Sequence, residues 1–143
     1  MIKHFIPVTL LITIIVFVFV FLQLQEAGSD GVQCTLRKNT CALNVKDGPV
    51  FVQISSTIQL EEEVDIEIKY PTSLRYQKAV ISGINMYMGE TPIIIELNKA
   101  GLTKGKFFLG ACSEPDMRWQ MAISFEDENK QTQKAYVNFQ TSQ

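Results

Sequence analysis

An all-β domain, an antiparallel β-sandwich of the immunoglobulin-like kind behind one N-terminal transmembrane helix, is what three features of this sequence predict. An uncharged apolar run fills 5–24. After it the chain breaks into short segments of alternating apolar and polar residues, with turn residues recurring between them. No stretch beyond the first run shows the 3.6-residue periodicity of an amphipathic helix. Seven to nine short strands in about 115 residues is the density of such a sandwich.

The apolar run holds Leu10, Leu11, Ile12, Ile14, Ile15 and Val16 to Leu22 without a charge. Twenty helical residues at about 1.5 Å each cover a hydrocarbon core of roughly 30 Å. A secretory signal has a shorter apolar region, about 7–15 residues, so an uncleaved anchor is expected over 5–24. Cleavage near Ala27 and Ser29, giving a secreted domain, is the alternative. Lys3 on one side and Glu26 and Asp30 on the other point the amino terminus inward. The expected layout is a cytoplasmic 1–4, the anchor, a tether over 25–31, and a periplasmic domain over 32–143 of a single-pass inner-membrane protein.

At 143 residues, 46% of them hydrophobic, the chain has room for an anchor and one core-bearing domain but not two. After Gln25, 12 bases face 15 acids, a formal charge of −3, which provides no basic face for nucleic acid. The single histidine, His4, precedes the apolar run. The domain therefore lacks the imidazole on which Ser-His-Asp and Cys-His nucleophiles and most zinc sites depend. No other residue pair offers a nucleophile beside a base, and an enzyme is not expected.

Strands are predicted over 32–36, 42–45, 50–54, 64–69, 78–87, 93–97, 106–110, 117–125 and 134–140. They are separated by Lys46-Asp47-Gly48-Pro49, Tyr70-Pro71-Thr72-Ser73, Gly89-Glu90-Thr91-Pro92, Ala100-Gly101 and Asp127-Glu128-Asn129-Lys130. Val64, Ile66 and Ile68 share one face, with Asp65, Glu67 and Lys69 on the other. In the same way Val80, Ser82, Ile84 and Met86 are expected to face inward, as are Met117, Trp119, Met121, Ile123 and Phe125.

Cys34 and Cys41 bracket a six-residue hairpin tip and can form a disulfide outside the cytoplasm. Three cysteines allow three different single bridges, so Cys112 could instead take either partner or remain a buried thiol. If strands alternate up and down, Met86, Met88, Cys112 and Met117 gather at one end of the sandwich with Trp119 beneath. The Cys41 tip shares that end and the tether enters at the other. Thioether and thiol sulfurs suit monovalent copper, and an indole can offer its face to the ion. The plainer account is that methionines fill gaps in an apolar interior.

The segments Gly83-Ile84-Asn85-Met86-Tyr87-Met88-Gly89, Gly105 to Gly110, Cys112 and Met117-Arg118-Trp119-Gln120-Met121 resemble the carboxy-terminal two thirds of the FixH and YtkA-like sandwich domains, over roughly 64–139. Those are anchored or exported modules. The resemblance implies copper handling in cytochrome oxidase maturation, with an oxidase subunit or copper chaperone as partner. The chain departs from the pattern where Gly89-Glu90 replace a frequent histidine and Met117-Arg118 replace a glycine. On chemical grounds Cys112 can supply the missing ligand. A metal-free envelope module that binds another protein is the competing class.

Two acidic runs and a set of tyrosines complete the candidates. Glu61-Glu62-Glu63 reads as a solvated strand end and Glu126 to Asn129 as a hairpin turn rather than a calcium loop. Tyr70, Tyr76 and Tyr87 are expected as an exposed aromatic patch or as half-buried residues at the ends of the sandwich.

Overall fold

The computed structural model describes residues 14, 16, 31–55 and 57–142. The expected anchor over 5–24 lies outside them except at Ile14 and Val16, and the tether lies outside them except at Gly31. Among the described residues no helix is long and apolar enough to cross a membrane. The chain divides into two units, Met1–Asp30 and Gly31–Gln143, and the second is a β-sandwich.

Ten strands form it: β1 (Val32–Thr35), β2 (Thr40–Val45), β3 (Gly48–Ile54), β4 (Glu63–Lys69), β5 (Arg75–Gly83), β6 (Glu90–Pro92), β7 (Ile94–Lys99), β8 (Leu102–Phe108), β9 (Asp116–Glu126) and β10 (Thr132–Ser142). One sheet runs β1-β10-β9-β5-β6 and the other β2-β3-β4-β8-β7. Every pairing is antiparallel except β1 with β10, which is parallel. The expectation of a wholly antiparallel sandwich is corrected at that one edge.

Side-chain alternation builds the core. Val64, Ile66 and Ile68 are buried while Asp65 and Lys69 are exposed. From the facing sheet Met117, Trp119, Met121, Ile123 and Phe125 all point inward. The rings of Phe107 on β8 and Phe139 on β10 meet across the two sheets with centroids 6.3 Å apart. Each aliphatic side chain fully removed from water contributes about 1.5–3 kcal/mol, and Val50, Ile68, Ile81, Ile123 and Val137 are all 0% exposed.

Three strands depart from the sequence reading, the first being β6, which forms within Gly89 to Pro92 where a turn is expected. β8 starts at Leu102, four residues earlier than expected, because the polar Thr103 faces inward, and its hydroxyl is satisfied by the Tyr70 hydroxyl and Asn98 Oδ1, each at 3.0 Å. In β5 the inward residues are Tyr76, Ala79 and Ile81, not Val80, Ser82, Ile84 and Met86. An irregularity between Tyr76 and Lys78 shifts the alternation there. The strand also stops at Gly83. A Cβ on Gly83 would stand 2.0 Å from the Met86 carbonyl oxygen, so the chain folds back on itself at a residue where only glycine leaves room.

Beyond that turn the short β6 pairs with β5. Pro92 sits on this edge, where a missing N–H costs no ladder bond. Ile93 then tucks inward and β7 joins the opposite sheet, closing one side of the sandwich. The other side is closed by the Cys34–Cys41 disulfide, with Cα atoms 6.2 Å apart. β1 and β2 belong to different sheets, so the bridge spans the layers and is not a rung within a hairpin ladder. Closing so short a loop stabilises by about 2.5 kcal/mol through the unfolded chain.

Candidate metal centre

The end of the sandwich that carries the sulfur atoms is assembled by strand direction. β5 ends there at Gly83, which pairs with Trp119 near the start of β9. β8 ends on the same side, since the loop that follows it brings Cys112 against Met86. The loop over 109–115 then leads to Asp116. The turn at Lys38 and Asn39, both with positive φ, lies at this end too, because Asn39 C=O accepts from Ile54 N–H at 2.9 Å and Leu36 N–H donates to Asn138 C=O at 2.8 Å. A cleft lined by Leu36, Lys38, Ile84, Arg118 and Gln140 joins that tip to the methionine loop. The loops over 84–89 and 109–115 and the turn at Lys38 and Asn39 thus lie at one end.

Within it the Cys112 thiol lies against Met86 Sδ, across 26 residues of sequence. The Glu114 N–H donates back to Cys112 Sγ at 3.5 Å. Cys112 lies outside the disulfide and is partly buried. Met86 lies just past the strand and keeps 37% of its surface in solvent.

The other expected donors take different places. Met117 is buried in the core with its terminal methyl under Gly83, 3.0 Å from where a Cβ would stand there. Met88 shares the loop with Met86 and is 42% exposed, and the short sulfur contact is made by Met86. Trp119 lies beneath, its indole Nε1 donating to Thr141 Oγ1 at 2.9 Å inside the core. The fold thus brings Met86 and Cys112 into contact, puts Met117 one layer below and leaves Met88 at the surface.

A residue that sequence reading missed holds this arrangement. Asn85 Nδ2 donates to the Asp116 carbonyl at 2.9 Å, and Asn85 Oδ1 accepts from the Arg118 N–H at 2.8 Å. Ile84 N–H donates to the Arg118 carbonyl at 2.7 Å. The only clue in the sequence was an asparagine just past a glycine that interrupts an apolar run.

Harder ligands are arranged otherwise. Among the described residues no group of three His, Cys, Asp or Glu side chains converges. Glu63 reaches Lys106 at 3.6 Å on an exposed face. Asp127 turns its carboxylate onto its own hairpin, accepting from Asn129 N–H and Gln131 N–H at 2.9 and 2.8 Å. Those bonds, that to Gln131 first, hold its pKa below the usual carboxylate value. On the outer face of β4, Glu67 is held low in the same sense by Lys104 and then Lys69, at 2.6 and 2.9 Å. The three tyrosines divide: Tyr70 and Tyr76 are buried at the opposite end, and Tyr87, 77% exposed, stands free of the core.

No family model, curated protein or solved structure matches this chain.

Proposed function

We propose that this chain is an extracytoplasmic, membrane-anchored sandwich of the immunoglobulin-like kind that holds monovalent copper as cargo at its sulfur-bearing end and assists maturation of a cytochrome oxidase. The observation that carries the metal reading is the meeting of the Cys112 and Met86 sulfurs from two distant loops. A thiol and a thioether from two distant loops are a donor set that soft monovalent copper accepts and that magnesium or calcium does not. Met86 and Cys112 serve as the primary ligands, Met117 as a deeper donor and Met88 as an outer one through which the ion enters or leaves. Trp119 lies under the site as a shield.

Three further observations support the wider reading. Apart from the added edge strands β2 and β1, the order β3-β4-β8-β7 facing β10-β9-β5-β6 follows the immunoglobulin pattern of four strands opposite a sheet of three or more. The uncharged run over 5–24 supports an anchor, and the Cys34–Cys41 bridge supports an oxidising compartment. The domain acts by binding and not by catalysis, with an oxidase subunit or copper chaperone as the partner that supplies or receives the ion.

The test is a titration of the full-length chain in non-ionic detergent with monovalent copper. Ascorbate keeps the metal reduced while leaving the disulfide intact, and a coloured chelator competes for the ion. One equivalent is taken up, and both Met86→Leu and Cys112→Ser weaken binding at least about tenfold, or about 1.4 kcal/mol. Uptake that is absent, or indifferent to both substitutions, removes copper from the reading. The second reading, a metal-free contact module for another envelope protein, is favoured by the exposure of Ile84, Tyr87 and Met88 on one loop.

A further inference from the structure

The Met86–Cys112 contact joins two loops, so something must hold the loops. On the Met86 side three hydrogen bonds to the start of β9 do so, and two of them come from one side chain. The antiparallel ladder of β5 and β9 runs as far as Gly83 paired with Trp119. One step further the main chain still bonds, Ile84 N–H to Arg118 C=O. There the backbone turns away, and the carboxamide of Asn85 takes over. It presents an N–H to the Asp116 carbonyl and an oxygen to the Arg118 N–H, as a peptide unit would in the next rung.

We propose that Asn85 is the positioning residue of the sulfur site. By standing in for the main chain at the last rung, it frees 86–88 from the strand while fixing the root of Met86, so that Sδ meets Cys112 Sγ. The role needs a donor and an acceptor on one planar group at one-carbon reach, which asparagine alone provides. Aspartate keeps the acceptor for Arg118 but turns a second oxygen toward the Asp116 carbonyl. Alanine removes both bonds. The fold-back at Gly83, where the Met86 carbonyl fills the space of a Cβ, is the second half of the same device.

The inference deepens the copper reading and rests on it for the metal measurement only. With Cys34 and Cys41 bridged, iodoacetamide reports on Cys112, and a change of its rate between the parent and an Asn85 variant in the metal-free full-length chain reports a change in how the thiol is covered. Asn85→Ala should speed alkylation and weaken monovalent copper binding, each by about tenfold, a factor worth about 1.4 kcal/mol. Asn85→Asp should move both the same way by a smaller factor. It serves as the test variant if the alanine chain does not fold, as judged by the near-ultraviolet circular dichroism of Trp119.

Phe125→Ala, far from the loop, is the control for mere destabilisation and should leave the alkylation rate of the folded chain unchanged. Alkylation and affinity that match the parent in both Asn85 variants overturn the proposal, as does an equal acceleration in Phe125→Ala. If alkylation responds as expected but the parent takes up no copper, Asn85 keeps its positioning role and the copper reading falls.

Discussion

The two ends of the sandwich are built on opposite plans. At the end away from the sulfurs, polar groups satisfy one another, the buried Gln133 Oε1 excepted, and apolar rings close the core. Tyr70 hydroxyl sits between Asn98 Oδ1, the Lys99 carbonyl and Thr103 Oγ1 at 3.0–3.2 Å, and Phe125 lies between the rings of Tyr70 and Tyr76 at 5.0 and 6.4 Å. Asp127 caps its own hairpin there. At the sulfur end the side chains of Ile84, Met86, Tyr87 and Met88 are left exposed, and the polar bonds anchor the loop's root without covering its tip. Buried apolar surface and satisfied polar groups are what stability requires. An exposed apolar loop contributes little to it, so the first end maintains the fold and the second is free to serve binding.

The largest effect that would break this division is at the closed end. Phe125 is 0% exposed and packs against both tyrosine rings. Phe125→Ala should cost about 3–5 kcal/mol in urea unfolding, from lost burial and an unfilled cavity. A loss below about 1 kcal/mol would mean that this end is not where stability resides.

A smaller effect follows from Tyr76, whose phenol burial pushes up to about 12 from the ordinary value of 10.0, the backbone at Ala79 opposing the shift and the nearby Tyr70 adding to it. The folded state holds this proton more tightly than the unfolded chain does. Its contribution is therefore complete below about pH 10 and is lost as pH rises toward 12, by about 2–3 kcal/mol in all. Urea midpoints measured from pH 9 to 12 should fall in the parent and fall less in Tyr76→Phe. Parallel curves for the two chains would show that the Tyr76 hydroxyl titrates as if in water.

Much of this division was legible in the sequence, and the unread parts share a cause. The inward faces of β4 and β9 followed from strict alternation, and the meeting of distant loops at one end followed from strand direction. β5 was misread because its alternation shifts near Gln77 while the apolar residues Val80, Ile84 and Met86 continue a plausible period beyond the strand's true end. The start of β8 was missed because Thr103 is a polar residue facing inward whose partners are Tyr70, just past β4, and Asn98 on β7. For the site, the donor types could be read from the letters, but not that Met117 would sink into the core while Met86 stayed at the surface. That outcome depends on where β5 stops. Gly83 and Asn85 decide it together, through a close approach and a side chain that bonds like main chain, and neither leaves a periodic trace.

The smallest expected effect sharpens the comparison most. Tyr87 is the most exposed large hydrophobic side chain of the sulfur end and stands between Met86 and Met88. If the loop's tip carries no share of the fold's stability, Tyr87→Ser changes the unfolding free energy by no more than about 0.5 kcal/mol, as at an ordinary surface position. A cost above about 1.5 kcal/mol would show that the ring closes the core as Phe125 does, and the contrast between the two ends would dissolve. With stability unchanged, the same variant separates the two functional readings. A copper site built on Met86 and Cys112 should keep its affinity, because Tyr87 offers no soft donor. A protein partner that docks on the loop should lose affinity instead, because an exposed aromatic side chain is the kind of anchor such contacts use.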